Sequence, residues 1–310
     1  MTGPARAVAT QATDGAAAVV RIRLGIAYDG TDFSGWGRQP GLRTVQGVIE
    51  EALRTLFRRT GELPRLTVAG RTDAGVHALG QVAHLDVGQA ALGSVTRPRR
   101  GSEGAASPEA VLARRLTGIL GADADVAITH AERAPDGFDA RFSAVWRRYE
   151  YRVADAAAFR DPLERRRTVT HPRTLDDTAM DAAARSLLGL HDFAAFCRPR
   201  EGATTIRTLQ SFEWRRAPDG VLVASLQADA FCHSMVRALV GACVAVGEGR
   251  LAASDPRALL EAAERTSAFI VMPAKGLVLT EVGYPADAEL EARATQTRAR
   301  RELHAHGIVG

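Results

Sequence analysis

The sequence predicts an α+β fold in which antiparallel strands and helices are mixed. Two apolar patterns indicate this class: a period of two, typical of a strand with one buried face, and a spacing of three and four residues, typical of a helix. They follow one another without the regular βαβ alternation of a parallel sheet, which favours antiparallel pairing. The 310 residues suffice for one large domain or two ordinary ones.

The first elements show both patterns. Residues 21–28 alternate polar and apolar side chains and predict a half-buried strand. After a loop rich in Gly, Pro and Asp, Thr44 is a suitable N-cap for a helix over 45–59 with one apolar face. The elements predicted after these are a strand over 80–87, a helix over 108–120, a strand over 147–153, a helix over 174–188 capped by Gly189, a strand over 221–231, a helix over 233–246, a helix after Ser254 and a strand over 276–285.

Composition divides the chain into segments. Residues 1–20 lack a continuous apolar run and predict a disordered leader rather than a secretory signal. An N-terminal domain is expected over 21–140 and a C-terminal domain over 141–286. Within the first, 89–107 contains almost nothing to bury and predicts a flexible insertion. Residues 287–310 are rich in Ala, Arg and Glu and predict a tail that is a frayed helix or disordered.

Charge and cysteine content narrow the class of protein. The net charge of +4 permits a polyanionic partner without requiring one, and Lys275 is the only lysine beside many arginines, whose planar guanidinium suits phosphate. Cys197, Cys232 and Cys243 are widely spaced without a CxxC motif, which argues against a disulfide scaffold or structural zinc and for a reducing compartment. No apolar run approaches the roughly 20 residues that cross a bilayer. The sequence therefore predicts a cytoplasmic protein with no membrane association.

The stretch AGRTDAG is the first candidate for chemistry. Glycines at 70 and 75 allow a tight bend that can present Asp73 and Arg71 into a cleft. The alternative is that Asp73 caps a turn while Arg71 is a solvated partner.

A second candidate lies in the helix HSMVRALVGACVAVG. Arg237 stands in the middle of this apolar element, and a buried guanidinium needs a carboxylate because an unpaired one costs several kcal/mol. Asp73 is a candidate partner, although spacing alone does not select it over Asp139 or Glu281. A purely structural ion pair between the two halves of the chain is the alternative.

The third candidate is FDARFSAVWRRYEYR. On a strand, one face carries Tyr149, Tyr151 and Val153, and the other carries Arg148, Glu150 and Arg152. Aromatic rings interleaved with arginines can stack unpaired bases and hold their phosphates. Residues 146–173 continue this pattern as the densest positive stretch, a candidate phosphate-contacting rim. The alternative is a core face of tyrosines with a salt-bridged outer face.

These residues resemble the tRNA pseudouridine synthase A family. The resemblance is carried by six blocks in the family's order over about 22–285: YDGTDFSGWGRQPGLRTVQGVIEEAL, AGRTDAGVHALGQVAH, FDARFSAVWRRYEYR, GLHDFAAFC, FCHSMVRALVG and PAKGLVLTEVGYP. Gly37 stands where the family usually has glutamine. The resemblance implies two α/β domains around a mainly antiparallel sheet, with the active site in a cleft between them, and a homodimer.

The resemblance also implies the activity, which is isomerisation of uridine to pseudouridine at positions 38, 39 and 40 of the tRNA anticodon stem-loop, without cofactor or metal. Asp73 matches the catalytic aspartate, Tyr149 the tyrosine that stacks on the target uracil, and Arg237 the arginine that pairs with the aspartate. Arg71 matches a residue that helps to displace the base and hold RNA. The substrate-binding residues expected within the matching blocks are Arg71, Tyr149, Arg148, His77, His233 and Leu277.

Two other classes of function use the same residues. A non-catalytic RNA-binding module would use the arginines and tyrosines but would not need Asp73 opposite Arg237. A metal-dependent phosphodiesterase is suggested by Asp73 and His77 together with His84 and Asp86, which share one strand face, although no HxH or HD cluster supports it.

Overall fold

The computed structural model describes residues 18–97, 106–199 and 204–305. The strands are β1 Val19–Tyr28, β2 Thr67–Val68, β3 His77–Gly88, β4 Val126–Arg133, β5 Trp146–Ala154, β6 Val169–Thr170, β7 Gly189–Asp192, β8 Ile206–Arg216, β9 Leu222–Ala228 and β10 Leu277–Gly283. The helices are α1 Val45–Phe57, α2 Gln89–Thr96, α3 Pro108–Leu120, α4 Asp177–Arg185, α5 Met235–Gly247, α6 Asp255–Ala262 and α7 Leu290–Ala305. None of the helices within these ranges combines the length and apolar character that crossing a membrane would need.

All ten strands belong to one sheet, whose main path runs β4-β1-β3-β10-β5-β9-β8-β7. Every pairing is antiparallel except those of β3 with β10 and of β5 with β6. The predicted α+β class with mainly antiparallel pairing is therefore confirmed. Strand β10, from the end of the chain, lies between β3 of the N-terminal half and β5 of the C-terminal half.

The apolar residues form two large cores, one for each half of the chain. The N-terminal core takes side chains from β1, α1 and β3, together with Leu279 of β10 and Leu290 of α7. The C-terminal core takes side chains from β5, β8, β9, α4 and α5, together with Val76. Tyr149 packs against both cores and therefore marks their junction. The exact division at residue 140 stays a prediction.

Several elements match their sequence signals closely. Strand β1 has the predicted alternation, and α1 begins directly after Thr44, whose hydroxyl accepts a hydrogen bond from the N–H of Gly47 at 3.2 Å. Helix α3 has the predicted bounds. Helix α4 is shorter than the predicted 174–188, because Asp176 is the N-cap and Gly189 begins a strand instead of capping the helix.

The structure corrects three predicted irregular segments. The flexible insertion over 89–107 is wrong for its first part, since α2 buries Ala91, Leu92 and Val95, while 98–105 lies outside the described residues. The leader predicted over 1–20 falls largely outside the described residues too, but Val20 is already a buried residue of β1.

Of the two alternatives for the tail over 287–310, disorder is wrong for the described part, because α7 is a regular helix docked on the N-terminal core, while 306–310 lies outside the described residues. Leu290 and Ala294 are buried, the hydroxyl of Ser143 donates to the carbonyl of Leu290 at 3.1 Å, and Arg298 pairs with Asp139 at 2.7 Å. These contacts order a segment whose composition alone favours fraying.

The cysteines also differ from the expectation. A disulfide joins Cys197 to Cys232, whose Cα atoms are 5.8 Å apart, and Cys243 is free and buried in α5. The 35-residue separation gave no sequence signal for this pairing, since only the fold brings the two loops together.

Candidate active site

The loop over residues 69–75, here called the Asp73 loop, turns sharply between β2 and β3. Gly75 adopts a φ of +77°, a left-handed conformation that side chains with a Cβ disfavour. Gly70 is not among the glycines of positive φ, and a Cβ there would meet open space, so only one of the two framing glycines is required by backbone geometry. The loop is anchored to the preceding segment by hydrogen bonds from the N–H of Gly75 to the carbonyl of Phe33 and from the N–H of Trp36 to the carbonyl of Thr72.

Buried polar side chains support this loop from below. The hydroxyls of Tyr28 and Thr72 are 2.8 Å apart, and the side-chain N–H of Gln81 donates to the carbonyl of Gly70 at 3.0 Å. Burial raises the pKa of Tyr28 to about 12, so its phenol stays neutral and can donate to Thr72. The bend that carries Asp73 is therefore held by backbone hydrogen bonds to Phe33 and Trp36 and by side-chain hydrogen bonds to Tyr28 and Gln81.

Arg237 of α5 is the cation that faces Asp73. Its Nη2 atom lies 3.2 Å from Oδ2 of Asp73 and 3.1 Å from the hydroxyl of Ser234, and Nη1 donates to the carbonyl of Met272 at 3.2 Å. Ser234 precedes α5 with a φ of +65°, an uncommon conformation for a residue with a side chain.

The other candidate partners of Arg237 are engaged elsewhere. Asp139 accepts from Arg298 and from the backbone N–H groups of residues 141 and 142, and Glu281 pairs with Arg148. The fold therefore selects Asp73 among the three carboxylates that spacing left open.

Asp73 keeps part of its carboxylate open to solvent. Its side chain is 37% exposed, and Oδ1 lies 3.6 Å from Nε2 of His233, beyond ordinary hydrogen-bond length. His233 is itself 40% exposed, and its carbonyl accepts from the N–H of Arg198 at 2.9 Å. A substrate atom can therefore reach Oδ1 beside an imidazole.

Tyr149 lies on the same side as Asp73, at the junction of the two cores. Its ring meets Phe231 edge-on, with ring centroids 5.2 Å apart. Burial raises the pKa of the Tyr149 hydroxyl, and the nearby Tyr28 and Asp73 add to this while Arg147 opposes it. The side chain at neutral pH is a neutral phenol, which can stack on a base and donate a hydrogen bond.

Residues 272–275, just before β10, border the site together with the Asp73 loop and α5. Three of their carbonyls accept hydrogen bonds from side chains around the site. The carbonyl of Met272 accepts from Arg237, and that of Pro273 accepts from the hydroxyl of Tyr151 at 2.7 Å. The carbonyl of Lys275 accepts from Nε2 of His77 at 3.1 Å. A Cβ on Gly75 would lie 3.3 Å from the Cβ of Ala274. Residues 272–275 therefore touch the Asp73 loop, α5 and β5 at once.

The other predicted substrate-binding residues divide into two groups. Arg71 is exposed beside Gly37, where a Cβ would come within 3.4 Å of its Nε. His77 is 5% exposed, and its Nδ1 accepts from the N–H of Gly30 at 3.0 Å while Nε2 faces Lys275, so the ring ties loops together and does not face the cleft. Leu277 is 6% exposed in the C-terminal core, and only a small edge of it is open.

Arg148 does not face the cleft either. Strand alternation puts it on the side of the sheet opposite Tyr149, where it binds Glu281 and Gln227 and stacks on Trp146. Arg147, which sequence analysis passed over, is the arginine on the Tyr149 side. Period two could have identified it, since residues 147 and 149 must share a face.

The residues of the metal hypothesis have protein partners. His84 is 4% exposed and its Nδ1 accepts from the N–H of Ala140 at 3.0 Å, while Asp86 pairs with Arg21 at 2.7 Å. Within the described ranges, no group of three His, Cys, Asp or Glu side chains is arranged to hold a metal ion.

A cavity of about 730 Å³ lies elsewhere, between α1, α3 and the loop over 38–43. None of the predicted site residues lines it. It is a surface groove without a buried ionisable group, so the convergence of carboxylate, guanidinium and phenol at Asp73 is the stronger candidate site.

Comparison with known proteins identifies the family of this chain. A family model described as tRNA pseudouridine synthase matches residues 25–100 and 183–285. The chain belongs to this family. Relatives named tRNA pseudouridine synthase A include those of Leifsonia xyli subsp. xyli, 62% identical over 91% of this chain and 98% of the relative, and of Frankia casuarinae, 55% identical over 93% and 97%. A third, from Mycobacterium leprae, is 51% identical over 91% of this chain and 96% of the relative.

Proposed function

We propose that this chain isomerises uridine to pseudouridine in the anticodon stem-loop of tRNA, at positions 38, 39 and 40. Asp73 acts as nucleophile or base at the target ribose. The observation that carries the proposal is the partly open carboxylate of Asp73, held by Arg237 beside the ring of Tyr149. The family match and the full-length relatives named tRNA pseudouridine synthase A support the same reaction.

The reaction needs the N1–C1′ bond to break, the uracil to turn and C5 to bond to C1′, while the proton on C5 leaves and N1 gains one. Asp73 starts this either by attacking C1′ or by removing the proton next to it. No atom is added and no electron is transferred overall, and the family resemblance implies that the reaction proceeds without cofactor or metal. Arg237 holds Oδ2 of Asp73 and so orients the carboxylate without covering Oδ1.

The target base must leave its stack to reach Asp73, which costs a few kcal/mol. The Tyr149 ring, supported by Phe231, offers a face that recovers part of this cost, and its neutral hydroxyl can donate to a carbonyl of the uracil. His233 and the exposed Arg71 flank the carboxylate and are suited to contact the ribose and neighbouring phosphates.

Basic residues outside the cleft support an RNA substrate. The loop over 156–167 carries exposed Arg160 and Arg165 beside Phe159, which is 68% exposed. Arg166 in the same loop pairs at 3.1 Å with Asp29. The neighbouring Gly30 donates to His77, two residues after the Asp73 loop. The proposed enzyme is cytoplasmic, where its tRNA substrate is found, and works as the homodimer implied by the resemblance.

The test uses a tRNA transcript with uridines at 38, 39 and 40. Wild type and Asp73→Asn are each incubated with it in the presence of a chelator, and carbodiimide-stable adducts are mapped by primer extension. We expect new stops at these positions with wild type only, and equal tRNA binding by both proteins. The variant Asp123→Asn, which changes an exposed aspartate elsewhere, serves as the matched control and should behave as wild type.

Two other results would replace the proposal. Binding of tRNA by wild type without any stop would favour the RNA-binding module. Strand cleavage that the chelator abolishes would favour the metal-dependent phosphodiesterase.

A further inference from the structure

Arg147 is a partly buried arginine on the cleft side of β5, two residues before Tyr149. Its Nη1 donates to the carbonyl of Asp229 at 2.8 Å and its Nη2 to the carbonyl of Ala69 at 2.9 Å. No carboxylate of the described residues lies in ion-pair contact with it. The Asp229 carboxylate instead accepts from the backbone N–H groups of Thr208 and Ala230.

The two carbonyls belong to the segments that carry the proposed catalytic pair. Ala69 is the first residue of the Asp73 loop. Asp229 begins the connection from β9 to α5, which supplies His233 and then Arg237. Arg147 therefore joins the two segments at their bases, while Asp73 and Arg237 meet at 3.2 Å further along.

A guanidinium is suited to this contact. Its N–H donors diverge in one rigid plane, so that a single side chain can satisfy two carbonyl groups on different segments. Burial lowers the pKa of Arg147 from its ordinary value, but a guanidinium remains protonated in proteins, so the bridge persists across the range in which the protein is folded. A lysine has one nitrogen and would have to reach both oxygens from a single point.

The same strand holds the α5 connection by a second contact. Phe231, two residues after Asp229, meets the ring of Tyr149 edge-on. Arg147 and Tyr149 thus fix adjacent points of this connection against β5, one by hydrogen bonding and one by aromatic packing.

We propose that Arg147 is a positioning residue that holds the Asp73 loop and the connection to α5 at the separation at which Asp73 and Arg237 pair. It acts on the reaction through these backbone contacts and does not touch the substrate. This inference rests on the proposed function for its kinetic consequence, although its structural consequence can be measured without substrate.

The kinetic test compares Arg147→Met and Arg147→Lys with Arg207→Met. Arg207 is the matched control, since burial lowers its pKa too and it also donates to carbonyls, those of Ile206 and Thr204, but both lie on its own segment. We expect the single-turnover rate of Arg147→Met to fall about 10- to 100-fold while the Kd for tRNA changes less than about 2-fold, because small misplacements of reacting groups cost rate. Arg147→Lys should recover at least about 3-fold, and Arg207→Met should stay within about 2-fold of wild type.

A structural test keeps the inference separate from the proposed function. Hydrogen exchange followed by mass spectrometry reports the protection of the amides over 69–76 and 229–236 in free protein. We expect faster exchange in both segments together in Arg147→Met, an intermediate rate in Arg147→Lys, and no change in Arg207→Met.

The inference is overturned if exchange is unchanged or rises in one segment alone, or if Arg207→Met loses as much rate as Arg147→Met. It is also overturned if Arg147→Met weakens tRNA binding with the rate intact, since Arg147 would then bind RNA directly. Should Arg147→Met fail to fold, Arg147→Lys decides by the same two measurements. If wild type makes no pseudouridine, the proposed function fails while the exchange result still decides the role of Arg147.

Discussion

Two arginine–aspartate pairs in this chain differ in how fully the carboxylate is satisfied. Asp155, with a side chain that is 0% exposed, accepts from both terminal nitrogens of Arg216 at 3.0 and 3.1 Å. It also accepts from the backbone N–H groups of Leu175 at 3.0 Å and Ala157 at 3.1 Å. Every acceptor site of this carboxylate has a use within the protein.

Asp73 has the opposite arrangement. It is 37% exposed and accepts one hydrogen bond from Arg237, while its Oδ1 lies 3.6 Å from Nε2 of His233 and makes no hydrogen bond within the described residues. The comparison teaches that a pair of the same two residue types can serve structure or chemistry. The difference lies in whether lone pairs remain available to a substrate, which sequence spacing does not reveal.

Removing the cation of the open pair should damage the reaction far more than the fold. In Arg237→Met we expect kcat to fall about 10²- to 10³-fold, because a preorganised donor beside the reacting group is lost. The free energy of unfolding should change by less than about 1 kcal/mol, since the partly exposed carboxylate can be hydrated. Single-turnover kinetics and urea unfolding measure the two effects. A large loss of stability with kcat intact would break the comparison.

The buried pair should show the reverse. We expect Asp155→Asn to lower the free energy of unfolding by about 3 kcal/mol, because Arg216 loses its buried, two-pronged carboxylate partner and keeps only the more distant and more exposed Asp177 at 3.6 Å. Urea unfolding at neutral pH measures this, with the exposed Asp123→Asn as control, expected within about 0.5 kcal/mol of wild type. The rate constant of the folded fraction should remain that of wild type, and a fall in that rate would contradict the separation of roles.

Acid should remove the stabilisation that the buried pair of Asp155 and Arg216 gives to the folded protein. Burial by itself would raise the pKa of Asp155, but the hydrogen bonds from Arg216 and from backbone N–H groups outweigh it and hold the pKa below its ordinary value. A depressed native pKa contributes stability that is present above the unfolded pKa of about 3.9 and is lost as pH falls through the native value. The difference in unfolding free energy between wild type and Asp155→Asn should therefore be constant above about pH 5 and shrink below about pH 4. A difference that grows on acidification would reverse the assigned sign.

The smallest effects are expected at exposed arginines that form no ion pair with the described residues. Arg160→Ala and Arg165→Ala should each raise the KM for tRNA about 2- to 5-fold and reduce the salt dependence of binding by about one phosphate contact. Arg167, in the same loop, is already paired with Glu164 and is the matched control. Binding titrations at several salt concentrations measure how steeply the affinity for tRNA falls with salt. Equal effects of Arg160→Ala, Arg165→Ala and Arg167→Ala would mean that net charge alone, and not the absence of an ion pair, decides the contribution of an arginine.

Local patterns predicted the elements whose signals are local. Strand β1, helix α1 with its Thr44 cap and helix α3 follow from period and capping residues over about a dozen positions. Helix α2 was wrongly predicted as a flexible insertion, and α7 was predicted only as a frayed helix or disorder, because the stability of both comes from docking on the N-terminal core rather than from their own composition.

The candidate site was predictable only in part, for the same reason. The Asp73 loop and the importance of Arg237 were visible as a glycine-framed acid and a cation in an apolar helix. The choice of Asp73 as its partner depends on a contact across 164 positions. Arg148 was chosen where Arg147 faces the cleft, although the alternation that separates them was already in the sequence. The structure also argues against substrate contact by His77, whose burial no local pattern disclosed.

The central place of β10 has a consequence for how the protein is made. His77 of β3 lies opposite Val278 of β10, and Leu279 of β10 lies opposite Tyr149 of β5. In a chain growing from its N-terminus, β2 can pair with β3 at residues 83 and 84, but the start of β3 remains an unpaired sheet edge until β10 has been synthesised, and such edges invite wrong pairing. The carbonyls that hold Arg237, Tyr151 and His77 arrive with the same late segment. A truncated or unfinished chain would therefore lack the site, so that only a completed protein can act on its substrate.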